Sequence, residues 1–103
     1  MSIILNDVRF EWDDDKNEIN IQKHKISFIE AITVFDDDNI LYEPDSEHSI
    51  NEERFNAIGI SRERRLLIVC HCYRESDTVI RIISARKANK NEWDKYGGGL
   101  YEE

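Results

Sequence analysis

Three extended segments, Phe55 to Ile60, Arg65 to Tyr73 and Thr78 to Ala85, follow one another with only Ser61-Arg62-Glu63-Arg64 and Glu75-Ser76-Asp77 between them. Parallel neighbours need a crossover of about a dozen residues or more, so connections this short impose antiparallel pairing. Leu66-Leu67-Ile68-Val69-Cys70 is apolar on both faces, which puts its strand in the middle of the sheet with cover on each side. The remaining elements have to be arranged around that sheet.

Upstream, Val8-Arg9-Phe10-Glu11-Trp12 alternates as a half-buried strand does. Asp13 is placed to cap a helix with Asp14 and Asp15 in its first turn and Lys23, His24 and Lys25 at its end, the charge order the helix dipole favours. Ser27-Phe28-Ile29-Glu30 has capping-box spacing, so a second helix begins at Phe28, and Asp36-Asp37-Asp38-Asn39 ends it. Ile40-Leu41-Tyr42 reads as a short strand stopped by Pro44, with a polar loop from Asp45 to Glu53. Arg86 to Tyr96 reads as a last helix with Ala88, Trp93 and Tyr96 inward, and Gly97-Gly98-Gly99 release residues 97–103 as a tail. The order is β-α-α-β-β-β-β-α, an α+β fold with one mostly antiparallel sheet, two N-terminal helices and one C-terminal helix. A chain of 103 residues is one domain, 1–103, and 15 isoleucines with 10 aromatic residues supply its core and argue against disorder.

The 22 acids and 14 bases give a net charge of -8, which excludes indiscriminate coating of nucleic acid. The charge is unevenly spread. Met1 to Glu53 holds 15 acids and 4 bases, a net of -11, whereas Arg54 to Lys90 holds 9 bases and 3 acids, a net of +6. Two readings follow: two oppositely charged surfaces that neutralise each other once folded, or an anion site on the basic part and a basic partner for the acidic part. No apolar run approaches the roughly 20 residues of a membrane helix, and Met1-Ser2-Ile3-Ile4-Leu5-Asn6-Asp7 lacks the form of a signal peptide. A cytoplasmic protein with no membrane partner and with reduced Cys70 and Cys72 is expected.

Cys70-His71-Cys72 offers three metal ligands in three residues, but a strand sends the cysteines to one face and His71 to the other. Capping accounts for the triplets Asp13-Asp14-Asp15 and Asp36-Asp37-Asp38, so neither a metal site nor a cofactor is expected. The basic residues are harder to dismiss. Arg81 interrupts the strand Val79-Ile80-Arg81-Ile82-Ile83 on the face of Val79 and Ile83, and Arg86 and Lys87 fall at the strand-to-helix junction beside Ser84. Cations there oppose the helix dipole unless an anion sits among them. Arg54 opens a strand of the same sheet, and His71 projects on the face of Leu67, Val69 and Tyr73. Pairing of each arginine with Glu11, Glu43 or Glu53 is the structural alternative.

Three stretches of the chain carry a family resemblance. Phe10-Glu11-Trp12-Asp13 with Lys16, Asn20, Lys23-His24, Ser27-Phe28 and Glu30-Ala31 resembles the opening of the BrnT family, ribonuclease toxins of bacterial toxin-antitoxin modules. Asp45, His48-Ser49, Glu52-Glu53-Arg54-Phe55 and Ile58-Gly59 are similar to its middle, and Arg81-Ile82-Ile83-Ser84-Ala85-Arg86-Lys87-Ala88 with Glu92 and Tyr96 to its end. One departure is Lys25, where the family commonly ends the helix with glycine.

The resemblance implies a RelE-like fold, cleavage of RNA without a metal, inhibition of translation and growth, and neutralisation by a BrnA-like antitoxin in a hetero-oligomer able to bind DNA. In such chemistry a base takes the 2'-OH proton, cations hold the charge gathering on phosphate, and an acid protonates the leaving 5' oxygen. The candidates are Lys23, His24, Glu53 and His71 for proton transfer, Arg54, Arg81 and Arg86 as phosphate clamps, and Trp12, Tyr73 and Lys87 for binding RNA, with a place in the core as the other reading of His71 and Trp12. Two other readings stand beside it: a non-catalytic protein-binding module in a transcription-repressing complex, and a metal-dependent phosphodiesterase built on the aspartate triplets.

Overall fold

The computed structural model describes residues 1–48 and 52–97. Its centre is a six-stranded sheet of order β1-β2-β6-β5-β4-β3, formed by β1 (Ser2–Leu5), β2 (Val8–Glu11), β3 (Leu41–Pro44), β4 (Phe55–Ile60), β5 (Leu66–Arg74) and β6 (Val79–Lys87). The helices are α1 (Asp14–His24), α2 (Phe28–Ile32), continued by a 3-10 turn over Thr33–Asp36, and α3 (Lys90–Tyr96). Neighbouring strands are antiparallel except β2 and β6, which run parallel. The α+β, mostly antiparallel architecture is the expected one, and β5 lies inside the sheet with Leu66 to Cys72 all buried.

Four local features differ from expectation. The chain opens with an additional strand, β1, folded onto β2 through Asn6 and Asp7, whose φ angles of 52° and 66° are those of a tight hairpin turn. Pro44 ends β3 rather than stopping it short, which an edge strand tolerates because the missing N–H is not needed on its outer side. The capping box at Ser27 is half formed: Ser27 Oγ accepts the Glu30 N–H at 3.0 Å, but the Glu30 carboxylate turns to the Ser61 hydroxyl (2.7 Å) and Arg65 Nε (2.9 Å). A reciprocal box forms instead between Asn89 and Glu92 at the start of α3. That helix begins at Lys90 and not at Arg86, because β6 continues to Lys87, paired with Leu67 of β5. Beyond Gly97 the expected tail lies outside the described residues.

As expected, Asp13 caps α1, its carboxylate accepting the N–H groups of Asp15 (2.8 Å) and Lys16 (3.3 Å). Lys25 ends the helix in the left-handed conformation (φ 62°), so lysine takes the backbone shape that glycine adopts more easily.

The main core fills one face of the sheet, where Phe10, Trp12, Leu67, Val69 and Ile82 pack with Phe28 and Ile32 of α2 and Val34 of the 3-10 turn. Among the described residues the opposite face is covered at one end, where Tyr96 of α3 packs on Ile58, Leu66 and Ile68. A bulge governs the rest of that second face. Cys70 pairs with Ser84 but His71 pairs with Ile82, so Ile83 is an extra residue in β6. Past it the alternation is reset: Arg81, Ser84 and Arg86 stand opposite Cys72, Cys70 and Ile68, all on the half-covered face. Strict alternation would have put Arg81 and Ser84 on different faces. No helix among the described residues is long and apolar enough to cross a membrane.

Candidate active site

The side chain of Asn20 anchors α1. Its amide donates to the carbonyls of Ile26 and Ala85, both at 2.8 Å, and its oxygen accepts the Ala85 N–H at 3.1 Å. Ala85 lies just past the Ile83 bulge, so one buried asparagine holds the end of α1 against the irregular part of β6. The fixed helix brings His24 to the rim of a cavity of about 330 Å³.

Three segments complete this cavity. Arg54 and Asn56 come from β4 and the residue before it, Ser84 and Arg86 from β6, and Asp45 and Glu47 from the loop after β3, over a floor of Ile68, Cys70 and Ile83. The Arg86 guanidinium is gripped by both carboxylate oxygens of Glu92, at 2.8 and 2.7 Å, which raises its pKa above the usual arginine value. Glu92 is itself fixed by the α3 capping box, accepting the Asn89 N–H at 2.8 Å, so Arg86 is held as a preset fork. Arg54 Nε lies 3.9 Å from Glu52. Burial, helped by the nearby Asp45 carboxylate, pushes the Cys70 thiol up to about 11, which makes it a neutral wall and not a nucleophile.

The other sequence candidates are distributed around this cavity. Lys23 lines an adjoining recess and shares His24, Ile83 and Ser84 with it. Arg81 is on the same sheet face but pairs with Glu11 at 2.7 Å. Lys87, opposite Leu67, belongs to the other face and adds positive charge near Glu30. Glu53 and Tyr73 meet at a separate cavity with Glu52, Phe55 and Asp77. The adjacent residues Glu53 and Arg54 therefore serve different cavities.

Two candidates are corrected by burial. Trp12 is 3% exposed, edge-on to Phe28, so it is closed to a stacking base. His71 is fully buried on the helix-covered face, ringed by Phe35, Tyr42, Phe55 and Tyr73 at centroid distances of 5.1 to 6.2 Å. Its Nδ1 donates to the Val69 carbonyl at 3.1 Å, its Nε2 has no partner among the described residues, and burial lowers its pKa below the ordinary histidine value. A neutral imidazole sealed in rings cannot exchange protons with a substrate.

The aspartate triplets serve the fold. Beside Asp13 at its cap, Asp36 accepts from Arg62 (2.8 Å), and Asp37 accepts from the Ile60 N–H (2.8 Å) and the Tyr96 hydroxyl. Among the described residues no three His, Cys, Asp or Glu side chains are grouped to hold a metal ion. Sequence alone did not single out Asn56, Glu47 or the anchoring role of Asn20. A polar residue on the inner stripe of α1 was the available signal for Asn20.

Fold and cavity define the class: a small α+β domain with a half-open sheet, whose polar face presents a histidine-rimmed cavity lined by two arginines and two carboxylates. A family model described as ribonuclease toxin, BrnT, of type II toxin-antitoxin system matches residues 12–92. The chain belongs to the BrnT family of ribonuclease toxins. Its fold is similar to the crystal structure of the Brucella abortus ribonuclease toxin BrnT, with a TM-score of 0.61, 22% identity, and coverage of 79% of this chain and 96% of that one. No curated protein matches.

Proposed function

We propose that this chain is an endoribonuclease that cleaves RNA in the His24 cavity without a metal ion, inhibits translation and growth, and is neutralised by a BrnA-like antitoxin. The observation that carries the reading is the convergence of His24, Arg54 and Arg86 from three separate elements on one cavity of about 330 Å³. Histidine is the side-chain type that exchanges protons most readily near neutral pH. His24 takes the proton from a ribose 2'-OH as the 2' oxygen attacks the adjacent phosphorus. The P–O5' bond breaks, and the imidazolium returns the proton to the departing 5' oxygen. The products are a 2',3'-cyclic phosphate and a 5'-OH end. Arg54 and Arg86 face the phosphoryl oxygens, where charge accumulates, and Arg86 is preset by Glu92.

The antitoxin reading is supported by the charge division. Ion pairs with Arg81, Arg65, Arg62, Lys95 and Arg74 engage Glu11, Glu30, Asp36, Glu43 and Glu52, and the acidic excess left from the -11 of Met1 to Glu53 suits a basic antitoxin segment, within a complex whose DNA contacts come from the antitoxin. Binding between exposed charges should weaken as salt rises.

The test is induction of this chain alone in bacteria, with and without its neighbouring open reading frame, followed by mapping of RNA ends. Growth arrest with 2',3'-cyclic phosphate ends, relieved by the neighbour and abolished by His24→Ala, is expected. Unimpaired growth, or arrest that His24→Ala leaves intact, defeats the reading. Cleavage in vitro should persist with excess chelator.

A further inference from the structure

The recess beside the cavity has features that the cleavage step does not use. It measures about 150 Å³ and is lined by Lys16, Ile19, Asn20 and Lys23 of α1 together with His24, Ile83 and Ser84. Because the last three also line the larger cavity, the two form one groove running from Arg54 and Arg86 along α1. Residues 16, 19, 20 and 23 follow the i, i+3, i+4, i+7 spacing of a single helix stripe.

On an ordinary surface helix the stripe facing the protein is apolar. On α1 the more buried stripe is Asn17, Asn20, Ile21 and His24, with Asn20 its only buried residue, and the exposed side chains of Lys16, Ile19 and Lys23 border it along the groove. Ile19 is 60% exposed across the groove from Ile83. Neither lysine is in an ion pair among the described residues, whereas Arg81 and Arg86 are each held by a carboxylate. Lys16 also sits in the first turn of α1, the end where a cation gains nothing from the helix dipole. Its charge is placed where it does not help the fold.

We propose that this recess is a second subsite, which binds the nucleotide next to the one being cleaved. Its phosphate lies between Lys16 and Lys23, and its sugar or base packs between Ile19 and Ile83. The assignment rests on the ribonuclease reading and extends it: the substrate is single-stranded RNA engaged at two or more phosphates. Lysine suits the subsite because a point charge on a flexible stem follows a backbone without fixing its orientation, whereas the preset Arg86 fork suits the reacting phosphate.

Binding of uncleavable 2'-O-methyl RNA tests the subsite. Mixed-sequence hexanucleotides and dinucleoside monophosphates are titrated against the whole chain and against Lys16→Gln, Lys23→Gln and the double variant. Lys90→Gln, at a lysine that lines neither the cavity nor the recess, is the control. The double variant should lose about tenfold in hexanucleotide affinity at moderate salt and stay within about twofold for the dinucleotide. Its plot of log affinity against log salt should flatten by about 0.7 for each phosphate that the lysines no longer neutralise. A hexanucleotide that binds no better than the dinucleotide, or lysine variants with unchanged affinity and slope, overturns the subsite and leaves the cleavage site standing. Failure of both RNAs to bind the unaltered chain overturns the ribonuclease reading as well. Loss of antitoxin binding with RNA affinity intact would make the stripe a protein interface and end the proposal.

Discussion

The two faces of the sheet use the same strands and put the same residue type to opposite ends. On the covered face His71 is sealed among four aromatic rings, its pKa lowered by burial and its Nε2 without a partner among the described residues. On the half-covered face His24 stands at the rim of a polar cavity that also holds Arg54, Arg86, Asp45 and Glu47, half-buried at the end of a helix. Both histidines qualify as proton carriers by residue type. Exposure separates them, and sheet face and helix anchoring decide it.

The largest effect that would sharpen this contrast is on rate. His24→Ala should reduce cleavage by about 100-fold or more, the usual contribution of a positioned acid or base, with a change of only about 0.5 kcal/mol in stability by urea titration. His71→Phe should leave cleavage within about threefold. An equal loss in both, with stability intact, would erase the distinction between the faces.

Asn20→Ala breaks the link between α1 and β6. It leaves buried backbone groups of Ile26 and Ala85 unpaired, so a loss of about 3 kcal/mol in unfolding free energy is expected by urea titration. Cleavage should fall too, because His24 loses its support. Normal stability in this variant would show that the open-face site is held by something else.

A smaller effect is read by pH. Burial lowers the folded pKa of His71 below 6.5, so the unfolded chain takes up the proton first as pH falls. Stability should be whole above about pH 6.5 and decline below it, and His71→Phe should flatten that part of the curve. A second loss should remain below about pH 4.5. Burial works against the Glu30 carboxylate, but hydrogen bonds from Arg65 and Ser61 and the Arg65 charge outweigh it and lower its pKa. Asp37 is lowered in the same sense, burial being outweighed by the Ile60 N–H and the Tyr96 hydroxyl. An unchanged curve between pH 7 and 5 in His71→Phe would mean that the imidazole is not sealed.

The smallest effect belongs to Lys25, at the turn between α1 and α2. Glycine fits its φ of 62° without strain, so Lys25→Gly should raise stability by about 0.5 kcal/mol, seen as a modest increase in Tm. A decrease would mean that contacts of the lysine side chain, such as Nζ to the Gln22 carbonyl at 3.1 Å, outweigh the backbone gain.

Elements whose signals are local were legible in advance. The Asp13 cap, the short links around β5 and its two-sided apolar run set α1 and the centre of the sheet. Capping at Glu30 misled because a carboxylate near Ser27 reads as a reciprocal cap until Arg65, thirty-five residues on, claims it. The extent of β6 was missed because Arg86 and Lys87 suit a helix start as well as a strand end. Only pairing with β5 separates the two.

Sequence alone determined the α+β class, the antiparallel centre, the family resemblance and the uneven charge, because each is written in neighbouring residues or in simple composition. Tertiary structure decided which candidates share a site. The Ile83 bulge aligns Ser84 with Arg81 and Arg86, the Asn20 bridge carries His24 to them across sixty-five residues, and the aromatic ring removes His71. Those outcomes depend on strand register and on burial, which are properties of distant segments once packed together.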